Sequence, residues 1–118
     1  MRAPFAVLLI ACALGTTAAL AAPIDDAIAA AAEAKAAGDF AAMEAALGKV
    51  LALRPQHPRW SYHLAVARAR QGATDGALVL LEQVAAQGAA YQPESDPDFA
   101  ALAGTPRFDA IVARFSSN

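Results

Sequence analysis

Two glycines that lie 34 residues apart constrain the fold of this chain more than any other feature. Gly38 and Gly72 each separate two alanine-rich segments in which apolar residues recur at helical spacing. A period of this length is typical of a stacked array of helical hairpins, in which one unit cannot bury its apolar face without a neighbour. The sequence therefore predicts a surface on which another molecule can lie, rather than an enclosed pocket for chemistry.

The chain begins with the pattern of a secretory signal peptide. One positive charge at Arg2 precedes a short apolar run over residues 5–14, and small residues then lead to an A-x-A site at residues 19–21. This order predicts cleavage after Ala21, because cleavage one residue later would leave Pro23 at the first mature position. With residues 1–21 removed, we expect a periplasmic or secreted protein.

Two other outcomes for this segment stay open. The uncharged residues 3–24 are just long enough to span a bilayer as an uncleaved anchor, although the second half is mostly small residues that contribute little transfer free energy. Cys12, the only cysteine, ends a stretch that resembles a bacterial lipobox, but the apolar run before it is short. Contact with a membrane is expected only in these two cases. Cleavage after Ala21 would leave no cysteine for disulfides or thiolate chemistry.

Helix-ending and helix-starting residues predict a first pair of helices on either side of Gly38. The first covers about residues 25–37, and the second covers residues 40–53 with Asp39 as its N-cap. Arg54-Pro55 ends the second helix, because the residue before a proline avoids the helical conformation.

The rest of the chain predicts two further pairs. One has its first helix opening at Pro58 and its second capped by Thr74, and the other has short helices opening at Asp96-Pro97 and Thr105-Pro106. Almost no strand pattern occurs, so the predicted fold class is all-α, a short α-solenoid of antiparallel helical hairpins. The apolar stripes that predict its core are Phe40, Met43, Leu47, Val50 and Leu51; Trp60, Leu64 and Ala67; Ala77, Leu78, Leu81, Val84 and Ala85; and Phe108, Ile111, Val112 and Phe115.

Charge and motif content argue against several classes of function. The chain has 9 basic and 11 acidic residues and no basic run, so nucleic-acid binding is not expected. His57 and His63 lie six apart, which does not place two metal ligands on one helical face. No catalytic or phosphate-binding motif occurs, and the acidic clusters lie at predicted helix starts. We therefore expect no enzyme activity, metal or cofactor.

The repeat pattern resembles the tetratricopeptide repeat family, whose unit is a helical hairpin of this length. Over residues 24–91, the chain matches turn, small and large positions of the family pattern. In the first unit the matching residues are Gly38-Asp39-Phe40, Leu47 and Pro55. In the second unit they are Leu64-Ala65, Gly72, Ala77 and Leu81. The chain departs from the pattern at Ala30-Ala31, at Met43, after Gly72 and at Ala89. The resemblance implies two hairpins over residues 22–91.

The C-terminal segment brings a second resemblance. Residues 95–102, SDPDFAAL, followed by residues 104–108, GTPRF, look like the shortened helical pair that closes many bacterial repeat arrays. This implies a capping helical pair over residues 92–118. In some such proteins a lactonase-like β-propeller follows the cap.

The family resemblance also implies a concave groove lined by the first helix of each unit. The positions that correspond to it and that we propose as a partner-binding groove are Ile28, Lys35, Arg59, Tyr62, Val66 and Arg70. A tyrosine between two arginines could hold an acidic or C-terminal peptide, or could belong to an ordinary solvated helix face. The family's carboxylate clamp needs asparagine and lysine residues that these positions lack. Trp60 is expected in the core rather than in the groove.

Two functions are consistent with these patterns. The first is an exported, non-enzymatic repeat module that binds a protein or peptide. The alternative is an accessory module of a periplasmic lactonase-like β-propeller enzyme that another chain supplies. Because two hairpins and a cap are near the lower limit for a stable array, a weak homodimer through the open end is a further expectation.

Overall fold

A computed structural model describes residues 23–118, and within these residues the secondary structure is entirely helical. The elements in chain order are α1 (Pro23–Ala37), α2 (Phe40–Leu53), α3 (Pro58–Arg70), α4 (Thr74–Ala86), the 3₁₀ helices Pro93–Ser95 and Pro97–Leu102, and α5 (Pro106–Ser117). The predicted fold class is therefore confirmed: the chain forms a short α-solenoid of hairpins. The predicted signal peptide, with Cys12, lies outside the described residues.

The two turns that define the repeat have the same backbone geometry. Gly38 and Gly72 adopt φ values of +73° and +81°, in the left-handed region that glycine tolerates best. After each glycine the next N–H reaches back to close the preceding helix: Asp39 donates to the Ala34 carbonyl at 2.8 Å and Ala73 to the Arg68 carbonyl at 2.9 Å. The 34-residue spacing thus repeats a hydrogen bond as well as a residue type.

Side-chain caps begin three of the helical segments, as the sequence predicts. Asp39 accepts a hydrogen bond from the Ala42 N–H at 3.1 Å, Asp96 from the Asp98 N–H at 3.0 Å, and Thr105 from the Phe108 N–H at 3.3 Å. The prediction for α4 is wrong, since its N-cap is Ala73 and no side chain caps the helix. The turn after Gly72 places Ala73 at the last non-helical position, so Thr74 is already the first helical residue.

Each helix packs against the next, and the C-terminal segment packs on the second hairpin. Pro97–Leu102 lies against α3, while α5 lies against α4. The helix α1 buries only alanines, whose small size lets a neighbouring backbone approach closely, whereas α2 buries mainly larger apolar residues. A single core runs from Ala31 to Phe115 and joins both hairpins to the cap. Among residues 23–118, no helix is long and apolar enough to cross a bilayer.

Candidate functional site

The helix α3 lies at the centre of the array, and two of its sides have different surroundings. One side contributes Arg59, Trp60 and His63 to an open cleft shared with α1 and α2. The other side, which carries Tyr62, lies beneath the C-terminal segment. The groove predicted from the family resemblance is therefore divided into an open half and a covered half.

The open half is a small apolar cleft with a volume of about 230 Å³. We call it the Trp60 cleft, and its lining residues are Ile28, Ala31, Ala32, Lys35, Met43, Leu47, Arg59, Trp60 and His63. Met43 and Leu47 on α2 belong to the rigid core, with exposed fractions of 2% and 1%. Because sites for drug-sized ligands usually exceed about 300 Å³, the Trp60 cleft fits one or two side chains of a larger partner.

Trp60 is the main aromatic surface of this cleft and is only partly buried. Its ring lies 6.1 Å from the His57 ring and 5.9 Å from the His63 ring, and the Arg59 guanidinium lies 4.9 Å from its centroid. The expectation that Trp60 packs in the core is confirmed in that the side chain is partly buried against it, but Trp60 also lines the cleft. The sequence did not reveal this second role, because the space between α1 and α3 depends on how the two hairpins stack.

The cleft is positively charged at its rim. Lys35 and Arg59 line it, no acidic residue does, and neither cation forms an ion pair with any of residues 23–118. Burial lowers the pKa of His63, and the positive charges of Lys35 and Arg59 lower it further, while Asp96 opposes them. The positive charge at the rim therefore comes from Lys35 and Arg59.

Tyr62 lies at the centre of the covered half and has an exposed fraction of 9%. Its ring stacks on Tyr91 with a centroid separation of 4.3 Å and meets Phe99 edge-on at 5.5 Å. The hydroxyl donates a hydrogen bond to Asp96 at 3.3 Å. Burial raises the pKa of Tyr62 well above its ordinary value, and the negative charge of Asp96 and this hydrogen bond raise it further.

Arg70 and Val66 share the position of Tyr62 beside the cap. Arg70 donates a hydrogen bond to Asp98 at 3.2 Å and lies 4.8 Å from the centroid of the Phe40 ring, and Val66 is buried. The contact with Asp98 arises because Pro97–Leu102 packs on α3, whereas Phe40 belongs to α2. Of the six predicted groove residues, Ile28, Lys35 and Arg59 line the open cleft, Tyr62 and Val66 are buried, and the Arg70 side chain is 46% exposed beside the cap. A partner-binding role for all six stays a prediction.

The histidines were the remaining candidates for metal ligands. His57 Nδ1 is buried and has no hydrogen-bond partner among the described residues, and the ring packs against Trp60. Between residues 23 and 118, no group of three or more histidine, cysteine, aspartate or glutamate side chains could hold a metal ion.

A second, shallow groove lies at the open end of the array. Alanines of α1 and α2 line it between Asp26 and Lys49. It is the surface through which the sequence predicts a weak homodimer, which stays a prediction.

The described residues form a solenoid of two hairpins with a short helical pair at one end and an open cleft along one side. This architecture is typical of proteins that present a surface to a partner. In agreement with this, a tetratricopeptide repeat family model matches residues 34–104, and the chain belongs to this family. The matched range includes both glycine turns and the whole of Pro97–Leu102. Searches of the curated proteins and of the solved structures found no significant match. Repeats of this family generally mediate protein–protein interaction, and the family is typically non-enzymatic.

Proposed function

We propose that this chain is an exported, non-enzymatic tetratricopeptide-repeat module that binds a protein or peptide partner in the Trp60 cleft. The observation that carries the proposal is the Trp60 ring, which is partly exposed in a cleft with a buried apolar floor and has Arg59 against it. Tryptophan and arginine are the residues most enriched at the energetic centres of protein interfaces. The general role of the family in protein–protein interaction supports the same conclusion.

The size of the cleft determines what kind of binding we expect. A volume of about 230 Å³ receives one or two side chains, and the covered half of the groove offers no further open surface at Tyr62. An anchor of this size suits a short segment of a partner and a modest affinity, because few residues are available to form the buried centre of an interface.

Export is part of the proposal and rests on the pattern of residues 1–21. The chain recovered from the periplasm or medium of its host should begin at Ala22, which intact-mass spectrometry can determine. A mass that retains residues 1–21 would show an uncleaved anchor, and a lipidated Cys12 would leave a longer chain with added acyl mass. Either result would overturn the predicted cleavage after Ala21 and would show that the chain stays attached to a membrane.

Site-specific photo-cross-linking in the native host tests the binding proposal. A photoreactive amino acid replaces Ile28 at the edge of the Trp60 cleft, and the matched control carries it at Val79 on α4, which is 45% exposed and lies outside the cleft. We expect a discrete cross-linked partner from position 28 that is absent from position 79. Adding Trp60→Ala to the first variant should remove that product.

Two outcomes would contradict the proposal. The same products from both positions would show that capture does not involve the cleft, and no product from position 28 would show that the cleft is unoccupied in the cell. Mass spectrometry of the cross-linked product also separates the two functions predicted from the sequence, since an accessory module of a β-propeller enzyme would yield that enzyme as the partner.

A further inference from the structure

We infer that the segment recognised by the Trp60 cleft contains an acidic residue directly followed by a large apolar residue, with phenylalanine as the best fit. This inference rests on the proposed function and specifies the chemistry of its partner. It is drawn from a contact that the chain makes with itself on the neighbouring part of α3.

The covered half of the groove already holds such a pair of residues. Asp98 accepts the hydrogen bond from Arg70 at 3.2 Å, and the next residue, Phe99, is only 1% exposed, with its ring against Tyr62. The charged and the apolar side chains of one dipeptide thus contact the same helix, at residues that lie about two turns apart.

The same arrangement of an arginine on an aromatic ring occurs in both halves of the groove. In the covered half the Arg70 guanidinium lies 4.8 Å from the Phe40 ring centroid, and in the open half the Arg59 guanidinium lies 4.9 Å from the Trp60 ring centroid. A guanidinium held against a ring keeps its N–H edge available for a carboxylate. Arg70 uses this edge for Asp98, whereas Arg59 has no acidic partner among residues 23–118.

The rest of the cleft fits the second residue of the pair. Met43 and Leu47 form an apolar floor next to the Trp60 ring, and methionine sulfur and tryptophan both favour an aromatic side chain over an aliphatic one. Lys35 at the rim adds a second positive charge. A segment with lysine or arginine in place of the acid would therefore be repelled.

Fluorescence anisotropy with labelled eight-residue peptides tests this recognition rule. The probe has a central Asp-Phe pair, and three otherwise identical peptides carry Asn-Phe, Lys-Phe and Asp-Ala. Against the protein as exported by its host, we expect about fivefold weaker binding for Asn-Phe. We expect about tenfold weaker binding for Asp-Ala and still weaker binding for Lys-Phe.

Protein variants then locate the contact. Arg59→Gln should weaken the Asp-Phe peptide to the level of the Asn-Phe peptide and leave the Asn-Phe peptide unchanged, because the two changes remove one interaction. Arg114→Gln, which removes the same charge from an exposed position on α5, is the matched control and should change neither. Dependence on Arg70 instead of Arg59 would overturn the inference, since the peptide would then be displacing the chain's own cap.

Selection from a random displayed peptide library separates failure of the inference from failure of the proposed function. Peptides that lose binding in Trp60→Ala and converge on an acidic–aromatic pair support both. Peptides that depend on Trp60 but lack an acid or a large apolar residue overturn the inference and leave the proposed function standing. If no selected peptide depends on Trp60, both are refuted.

Discussion

Replacing Phe99 by alanine tests whether the C-terminal cap is an integral part of the folded unit. The Phe99 ring is almost completely buried and lies 5.5 Å from the Tyr62 ring and 6.4 Å from the Phe108 ring, so the substitution removes a side chain that joins α3 to α5. Truncation of a buried phenylalanine costs about 3–5 kcal/mol in unfolding free energy.

We expect the loss to be about 3 kcal/mol, at the lower end of that range. The site lies in a short 3₁₀ helix near the end of the array, where Pro97–Leu102 can shift and partly fill the space left by the ring. Small domains have about 5–15 kcal/mol of stability in total, so this is a large fraction. With about 4–8 °C per kcal/mol for a domain of this size, the melting temperature should fall by roughly 12 °C or more.

Urea titration followed by circular dichroism and by the fluorescence of Trp60, the only tryptophan, measures both the loss and its distribution. Val79→Ala, at an exposed position on α4, is the control and should change stability by less than about 0.5 kcal/mol. A loss in Phe99→Ala of less than about 1 kcal/mol would refute the reasoning, because the cap would then contribute little to the folded state. Transitions that differ between the two signals would show that the cap unfolds separately.

Three further results follow from the pKa shifts and the turn geometry. Because the pKa of Tyr62 is raised, the contribution of Tyr62 to stability is fully present below its ordinary pKa of about 10 and is lost as the pH rises toward the raised value. The unfolding free energy measured by urea titration should therefore fall more steeply with rising pH in wild type than in Tyr62→Phe. Because the pKa of His63 is lowered, mainly by burial, its stabilising contribution is present above about pH 6.5 and is lost as the pH falls through the lowered value. NMR titration should give a midpoint below 6.5 that rises in Arg59→Gln, and an unchanged midpoint would contradict the contribution assigned to Arg59. Because Gly38 has a φ of +73°, Gly38→Ala should cost about 1–2 kcal/mol of unfolding free energy. Gly48 lies inside α2 with open space around an added methyl group, so Gly48→Ala should stabilise the protein by about 0.5–1 kcal/mol. Equal effects of the two substitutions in urea titration would refute the role of the turn.

The helices and their ends could be predicted because the signals for them are local. Asp39 caps α2 through a hydrogen bond to a residue three positions away. The ring of Pro58 fixes a backbone angle that suits the first residue of α3, and the positive φ of Gly72 ends the same helix. Each of these effects depends on neighbours within one helical turn. The N-cap of α4 was predicted wrongly because the apolar pattern of that helix is the same whether it begins after Ala73 or after Thr74.

The division of the groove could not be predicted, because it depends on contacts between distant residues. Tyr62 and Asp96 lie 34 residues apart in sequence, and Arg70 and Asp98 lie 28 apart. The family resemblance implied that four residues of α3 share one concave surface, and only the packing of Pro97–Leu102 on α3 shows which of them are covered. These residues are Arg59, Tyr62, Val66 and Arg70. The exposure of Trp60 in the cleft could not be predicted either, because the space between two hairpins depends on their packing and not on the local sequence.

The shared position of α3 limits how the binding properties of this chain can evolve or be engineered. The His63 ring lines the cleft and also meets the Tyr62 ring edge-on at 6.3 Å, so a substitution at His63 would affect both partner recognition and the attachment of the cap. The opposite wall of the cleft, Ile28 and Lys35 on α1, has no such second role among the described contacts. New partner preferences should therefore accumulate first on α1, and a designer who wishes to redirect binding should vary this helix and leave α3 unchanged.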